Sequence, residues 1–339
     1  VTRALRIVLV ANDGLSAGHV ARTVAIARAL RRLRADCRAV VVTTSETEGL
    51  LDGEAVVRMP APAAARRAGL VDAERRRLAA SIVDGVLDGF APDVVVSDTF
   101  AAGPHGELAH VGKRARRAVV RRAVIDGEAV RAGLADVDLA IVADDPTPLP
   151  VDLAVPVVRV PPIVLGEAML SRDDARRALG LGDGRCVLVA AGGGGDADAA
   201  ARAEVIAEAI ARIAPDAHAL VARGPLDRRD DGRRVVPLQR YLRAFDGAVS
   251  PAGYNTAHEL AAARVPAALF AQPRPFDDQA ARAARFAEAG HAHVLARFDD
   301  ASVAEALAWM ARAEPAALAC DGADRAARAL VALAEGQPP

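Results

Sequence analysis

His19 and Asp98 have the side-chain types of a base and its orienting acid, and each follows a short β-rich apolar run. An aspartate beside an imidazole accepts its N–H, fixes the tautomer and stabilises the imidazolium formed when the other nitrogen takes a proton. Two plainer roles stay open for them: a solvated ring at a helix start for His19, and a helix cap for Asp98. The approach to His19 is Asp13-Gly14-Leu15-Ser16-Ala17-Gly18, whose small residues let backbone come close to a ligand. It is neither a clean G-x-G-x-x-G fingerprint nor a P-loop, since the lysine and spacing are missing.

A second set of residues is suited to an anion. Gly192, Gly193, Gly194 and Gly195 follow one apolar run and precede a helical one. Successive N–H groups without a Cβ, at the positive end of a helix, make a cradle for a diphosphate. Farther on, Ser250-Pro251-Ala252-Gly253-Tyr254-Asn255-Thr256 leads into another helical stretch. Gly253, Tyr254 and the amides of Asn255 and Thr256 are expected to form a second such terminus, with the Thr256 hydroxyl as an added donor. Glu259, one turn on, can accept both hydroxyls of a ribose. Asp278 and Gln279 open a later helix and offer an acceptor and an amide, a pair suited to the vicinal hydroxyls of a sugar.

These residues need a scaffold that brings strand ends and helix starts together. Ala4–Val10, Ala39–Thr43, Ala55–Met59, Asp93–Ser97, Ala118–Ile125 and Leu139–Val142 read as strands, with helices over His19–Leu33 and Val71–Leu87. Unalternating Val/Ile runs fit strands covered on both faces, hence parallel sheets between helix layers. Six prolines between Asp144 and Pro162 mark a linker. Ser171-Arg172-Asp173-Asp174 has the shape of a capping box. A second series follows: strands at Cys186–Ala191, Ala217–Ala222, Val235–Leu238, Asp246–Ser250 and Ala267–Phe270, and helices at Ala197–Ile213, Tyr254–Ala263 and Asp278–Ala289. The expected architecture is α/β, two Rossmann-like doubly wound domains over 1–160 and 161–339 facing across a ligand cleft. At 339 residues, the length itself favours two domains.

In its second half the chain resembles the donor domain of GT-B glycosyltransferases, especially the MurG-type branch and the plant-type UDP-glycosyltransferases. Gly253, Thr256, Glu259, Pro266 and Asp278-Gln279 follow, in order, the motif that holds a nucleotide sugar there. The Glu259-to-Gln279 spacing of twenty is that of the MurG-like version. The resemblance implies that Glu259 binds ribose, that Thr256 and Gly192–Gly195 bind the diphosphate, and that Asp278 and Gln279 bind the donor sugar. One departure stands out: Pro251 occupies the place of a phosphate-binding histidine in the plant-type enzymes, so neutralisation falls to backbone amides and Arg223. Over 1–130 the likeness is looser. Gly18-His19-Val20-Ala21-Arg22 is similar to the Gly-His loop of MurG-like proteins, and His19 with Asp98 looks like the dyad of inverting plant-type enzymes.

Composition narrows the alternatives. Forty-three basic against forty-four acidic residues argue against general nucleic-acid binding. Three scattered cysteines give neither a disulfide framework nor a zinc cluster. No apolar run spans a bilayer and no signal peptide precedes the first strand, so a cytoplasmic protein is expected. His105 and His110 are placed on a helix after Asp98, mostly as surface residues, and His258 as structural. His291 and His293 lack a third metal ligand. The basic run Lys113–Arg117 with Arg121-Arg122 reads first as a solvated helix face, with contact to an anionic membrane or a phosphorylated acceptor as the alternative. The expectation is an inverting hexosyltransferase that moves sugar from a UDP or dTDP sugar to a hydroxyl or amine acceptor, small or lipid-linked. It would use His19 as base, with neither metal nor cofactor. A nucleotide-sugar hydrolase or a non-catalytic nucleotide-sugar-binding subunit are the alternatives.

Overall fold

In the computed structural model, residues 3–12, 17–47, 49–112, 114–122, 128–144, 155–166, 169–192, 198–224, 235–274 and 277–338 are described. The chain divides into two compact units. Within the described set, the first takes residues 3–12, 19–165 and 321–338, and the second 17–18 and 166–320.

The first unit is built as β1 (Arg6–Val10), α1 (Gly18–Leu33), β2 (Arg38–Thr43), β3 (Ala55–Arg58), α2 (Pro62–Arg67), α3 (Asp72–Phe90), β4 (Val94–Asp98), β5 (Arg116–Arg121), α4 (Glu128–Arg131), β6 (Leu139–Ala143) and β7 (Val157–Val160). Its strands form one sheet in the order β3-β2-β1-β4-β5-β6-β7, and every adjacent pair is parallel. The Val/Ile runs are buried on both faces, as their lack of alternation predicts. Strand order turns back at β1, which lies between β2 and β4, so the carboxyl ends of β1 and β4 flank a topological switch point.

The second unit contains α5 (Arg172–Ala178), β8 (Arg185–Ala190), α6 (Ala199–Ile213), β9 (Ala217–Ala222), β10 (Gly247–Pro251), α7 (Tyr254–Ala263), β11 (Ala267–Phe270), α8 (Gln279–Glu288), β12 (Ala292–Val294) and α9 (Asp300–Met310). Its parallel sheet runs β12-β11-β10-β8-β9. Here the switch point lies between β8 and β10. Ser171 caps α5 by accepting the Asp174 N–H, as its sequence predicts.

Several expectations are corrected. Val157–Val160, inside the expected proline-rich linker, is the edge strand of the first sheet, paired to β6. Val235–Leu238 is no strand; a 3-10 helix covers Leu238–Ala244 instead. The segment after Asp98 is a series of turns, not a helix, leaving His105 half-buried and His110 exposed. Asp98 therefore caps nothing. The basic run is not a helix face either, because Arg116–Arg121 is β5 with Arg117 and Arg121 buried; Lys113 lies outside the described residues.

The expected domain 161–339 differs at its end. The last helix, α10 (Gly322–Ala334), belongs to the first unit, where it packs on β4, β5, β6 and β7. Its buried stripe Ala323, Ala326, Ala327, Leu330 and Leu333 has helical spacing. Arg32 and Arg34 of the first unit bond Asp324 and Glu335 at 2.8 Å.

Candidate active site

At the switch point of the first sheet, Val10 pairs in register with Ser97, so Asp98 ends β4 beside the exit of β1. His19 is the second residue of α1. Its Nδ1 lies 2.6 Å from Asp98 Oδ1, with the histidine side chain 19% exposed and the aspartate 2%. A carboxylate in that position accepts a hydrogen bond from Nδ1–H and leaves the lone pair on Nε2.

Asp98 is saturated with donors. Arg22, one turn along α1 from His19, gives Nε to Oδ2 at 2.9 Å and Nη2 to Oδ1 at 2.6 Å. The Thr99 hydroxyl donates to Oδ1 at 2.9 Å. Thr99 itself has φ of 66°, and Phe100 N–H donates to the Asp98 carbonyl at 2.8 Å across it, an i to i+2 turn. A positive φ at a β-branched residue is a true outlier, and such turns are rare and strained. The strain sits directly beside the aspartate, where the chain must reverse to aim its carboxylate.

Burial opposes the charge on Asp98, but the Arg22 guanidinium, with help from His19, overrides it and holds the carboxyl well below the usual carboxylate range. His19 is pushed below 6.5 by burial in the first place, against the pull of Asp98; the Arg22 charge adds to the lowering. The result is a neutral imidazole at pH 7 on an ionised carboxylate.

The second unit gathers the anion-binding candidates on the carboxyl edge of its sheet. Gly192 follows β8 with φ of 84°, and a Cβ there would lie 3.3 Å from Pro251 Cγ. Gly193, Gly194 and Gly195 lie outside the described residues. Gly253 is the N-cap of α7 in extended geometry, with Asn255 and Thr256 half-buried in the first turn. That turn is locked from below. Tyr254 is buried against His258 at 4.4 Å between ring centroids, and Arg282 of α8 lies over the Tyr254 ring and donates to the Ala252 carbonyl at 2.8 Å. His258 is fully buried between Tyr254 and Phe286, a structural position.

Glu259 is 7% exposed, and burial alone pushes its carboxyl up to about 7. Among the described residues, no charged neighbour offsets that burial. Arg223 is buried just past β9 and pairs with Glu204 at 3.6 Å.

The Asp278-Gln279 pair makes local bonds of its own. The Asp278 carboxylate caps α8 by accepting the Ala281 N–H at 2.9 Å. Gln279 is buried, and its Oε1 accepts the Gln272 N–H at 3.1 Å. Both side chains therefore already hold the loop together.

Three residues escaped assignment from sequence. Arg22 had a readable signal, because three residues after His19 puts it on the same helix face. Thr99 had none, since nothing in the residue type foretells positive φ. Gln272, 3% exposed, carried no motif.

No protein-family model matches the chain, and neither does any curated protein. Solved structures match along its full length, among them glycosyltransferases and UDP-N-acetylglucosamine 2-epimerases. The glycosyltransferase of kitacinnamycin is 16% identical with a TM-score of 0.66, covering 99% of this chain and 100% of that one. MnaA of S. aureus, solved with UDP, is 12% identical with a TM-score of 0.65, covering 99% of each chain. MurG of Acinetobacter baumannii is 14% identical with a TM-score of 0.55, covering 96% of this chain and 98% of that one. At such identities the likeness establishes the fold. The two parallel α/β units have the GT-B fold.

Proposed function

We propose that this chain is an inverting glycosyltransferase that moves a sugar from a nucleoside diphosphate sugar to a hydroxyl or amine acceptor. The observation that carries this reading is the His19–Asp98 contact of 2.6 Å at the switch point of the first sheet. An imidazole kept neutral, with Nε2 free, is prepared to take the acceptor proton as the nucleophile attacks the anomeric carbon. Asp98 stays ionised throughout and balances the imidazolium as it forms.

The leaving diphosphate develops negative charge, which the reading assigns to backbone amides after β8 and at the start of α7, with Thr256 as a side-chain donor. Glu259 takes the ribose hydroxyls. The Asp278 and Gln279 assignments to the donor sugar now depend on those side chains leaving their loop contacts or using their remaining donors and acceptors. UDP is the favoured nucleotide, supported by the UDP bound in MnaA; dTDP is the alternative.

Likeness to UDP-N-acetylglucosamine 2-epimerases, and a first-unit base able to activate water, give the reading its competitors. One experiment separates them. Incubation with UDP-, dTDP- and GDP-sugars without acceptor should give only slow sugar release, and acceptors should then be consumed with net inversion. Rapid stoichiometric free sugar would instead mark a hydrolase, and a donor altered at C2 an epimerase. Turnover that persists in excess EDTA is expected, since the reading routes no charge through a metal.

A further inference from the structure

Gln272 lies two residues past β11, and its side chain is almost wholly buried. Its Oε1 accepts from Arg274 Nη2 at 2.7 Å. Because a guanidinium only donates, this bond fixes the amide's orientation. Among the described residues, Nε2 has no hydrogen-bond partner. A Cβ placed on Gly192 would lie 3.6 Å from Gln272 Oε1, 3.8 Å from its Nε2 and 3.3 Å from Pro251 Cγ. The amide head thus reaches from the end of β11 past the end of β10 to the residue after β8, across the switch point of the second sheet. Its own backbone N–H is tied to Gln279, which holds the residue in place.

Buried donors without partners are rare in native proteins and call for an explanation. Here the explanation lies in what the group faces. Gly192 contributes no side chain, and Pro251 has no N–H of its own. The amide's only acceptor is taken by Arg274, so it presents donors alone, with a cation directly behind it. Such a group matches an oxygen that only accepts and carries negative charge. A sugar hydroxyl, which brings its own proton, is the poorer match.

We propose that Gln272 is a binding residue whose Nε2 donates to a diphosphate oxygen of the nucleotide sugar. The assignment rests on the glycosyl-transfer reading above and adds to it a residue that no motif supplies. Glycine at position 192 is favoured by its own φ of 84° and by the 3.3 Å approach of a Cβ to Pro251, and it leaves the space beside this amide open.

The test is calorimetric titration of the full chain with UDP, dTDP and GDP, each beside its nucleoside, together with melting of the unliganded protein. Wild type is compared with Gln272→Met and Gln272→Glu. Methionine removes the unpartnered donor at nearly equal volume, and glutamate keeps an acceptor for Arg274 while replacing the donor with an anion. For the diphosphate that wild type binds, Gln272→Met should weaken affinity about tenfold or more, as expected for losing a bond to a charged group. Gln272→Glu should weaken it further. Nucleoside affinity should be unchanged, and Gln272→Glu, which keeps the acceptor for Arg274, should melt close to wild type without ligand. Diphosphate affinity equal to wild type in both variants overturns the proposal, as does a parallel loss of nucleoside affinity. So does a Gln272→Met protein that melts early yet binds normally, because that is the mark of a structural residue. Should wild type bind none of the three diphosphates, the glycosyl-transfer reading fails and takes this proposal with it, a result told apart by the wild-type titration alone.

Discussion

Arg22 grips Asp98 through two bonds, of 2.9 and 2.6 Å, on the same carboxylate that His19 approaches at 2.6 Å. The guanidinium cannot lose its proton, so Asp98 is never asked to choose between two weak bases. In a simple dyad the aspartate would raise the histidine. Here Arg22 claims part of that carboxylate and adds its own positive charge, and burial wins. A base that works at neutral pH must be unprotonated there, and this arrangement provides it.

His19→Ala should lower kcat by about 10²- to 10⁴-fold, the usual worth of a positioned general base. The residues proposed to bind the nucleotide belong to the other unit, so nucleotide affinity should stay within about twofold, a margin equal to the few tenths of a kcal/mol seen between independent sites. Single-turnover kinetics beside equilibrium titration measures both. A variant with wild-type kcat removes His19 from the chemistry.

The pH profile follows from the same geometry. With His19 held below 6.5, kcat/KM should be flat near neutrality and fall only in acid. Arg22→Met removes the competing cation, so His19 becomes easier to protonate and the acid limb moves to higher pH. It also leaves a buried carboxylate short of its main partner, which costs about 3–5 kcal/mol of stability in comparable buried pairs. The sign for the wild-type pair is set by Asp98, whose folded value is depressed. Its contribution is full above the unfolded carboxylate range near ~4 and is lost as pH falls below it. Urea melts at pH 7 and pH 3 check this: the gap between wild type and Arg22→Met should narrow in acid.

Much of this was legible in the chain because local patterns agree with the fold. Val/Ile runs give the parallel strands, and the strand ends then deliver His19, Asp98, Gly192 and Gly253 to switch points without further information. What was hidden depends on distant partners. Val157–Val160 reads as linker because its prolines dominate the neighbourhood, yet one free edge on β6 is enough to make it a strand. The last helix follows the second unit in sequence but finds its apolar partners in the first. Asp278 and Gln279 fit a sugar-binding pattern, while their observed bonds are a cap and a loop tie. A residue type at a spacing does not distinguish those uses.

Glu259 should set a second pH dependence of opposite sign. Its folded carboxyl stands at about 7 against an unfolded value near ~4.5, so the native state binds the extra proton between those values. Stability therefore falls as pH rises through that window, by up to about 3 kcal/mol. Glu259→Gln should melt higher than wild type at pH 8 and no higher at pH 4. Nucleotide binding should show the cost, because an ionised carboxylate is the form that accepts two ribose hydroxyls. Wild-type affinity should weaken from pH 8 to pH 6, and the glutamine variant should lose that pH dependence along with affinity. An unchanged melting difference across pH would mean that Glu259 is not the titrating group.

Gly322 tests which unit owns the last helix. A Cβ there would collide with the Pro161 carbonyl oxygen and lie 2.7 Å from that of Pro162, both backbone atoms that no rotamer change can clear. Gly322→Ala must therefore move the start of α10 away from the segment that follows β7. Overpacking of this kind typically costs about 1–3 kcal/mol. The loss should be local to the first unit. In hydrogen exchange, amides of α10, β6 and β7 should lose protection, while those of β8, β10 and α7 keep theirs. Enhanced exchange in α10 together with β8, β10 and α7, with β6 and β7 unaffected, would place the helix with the second unit and reverse the assignment.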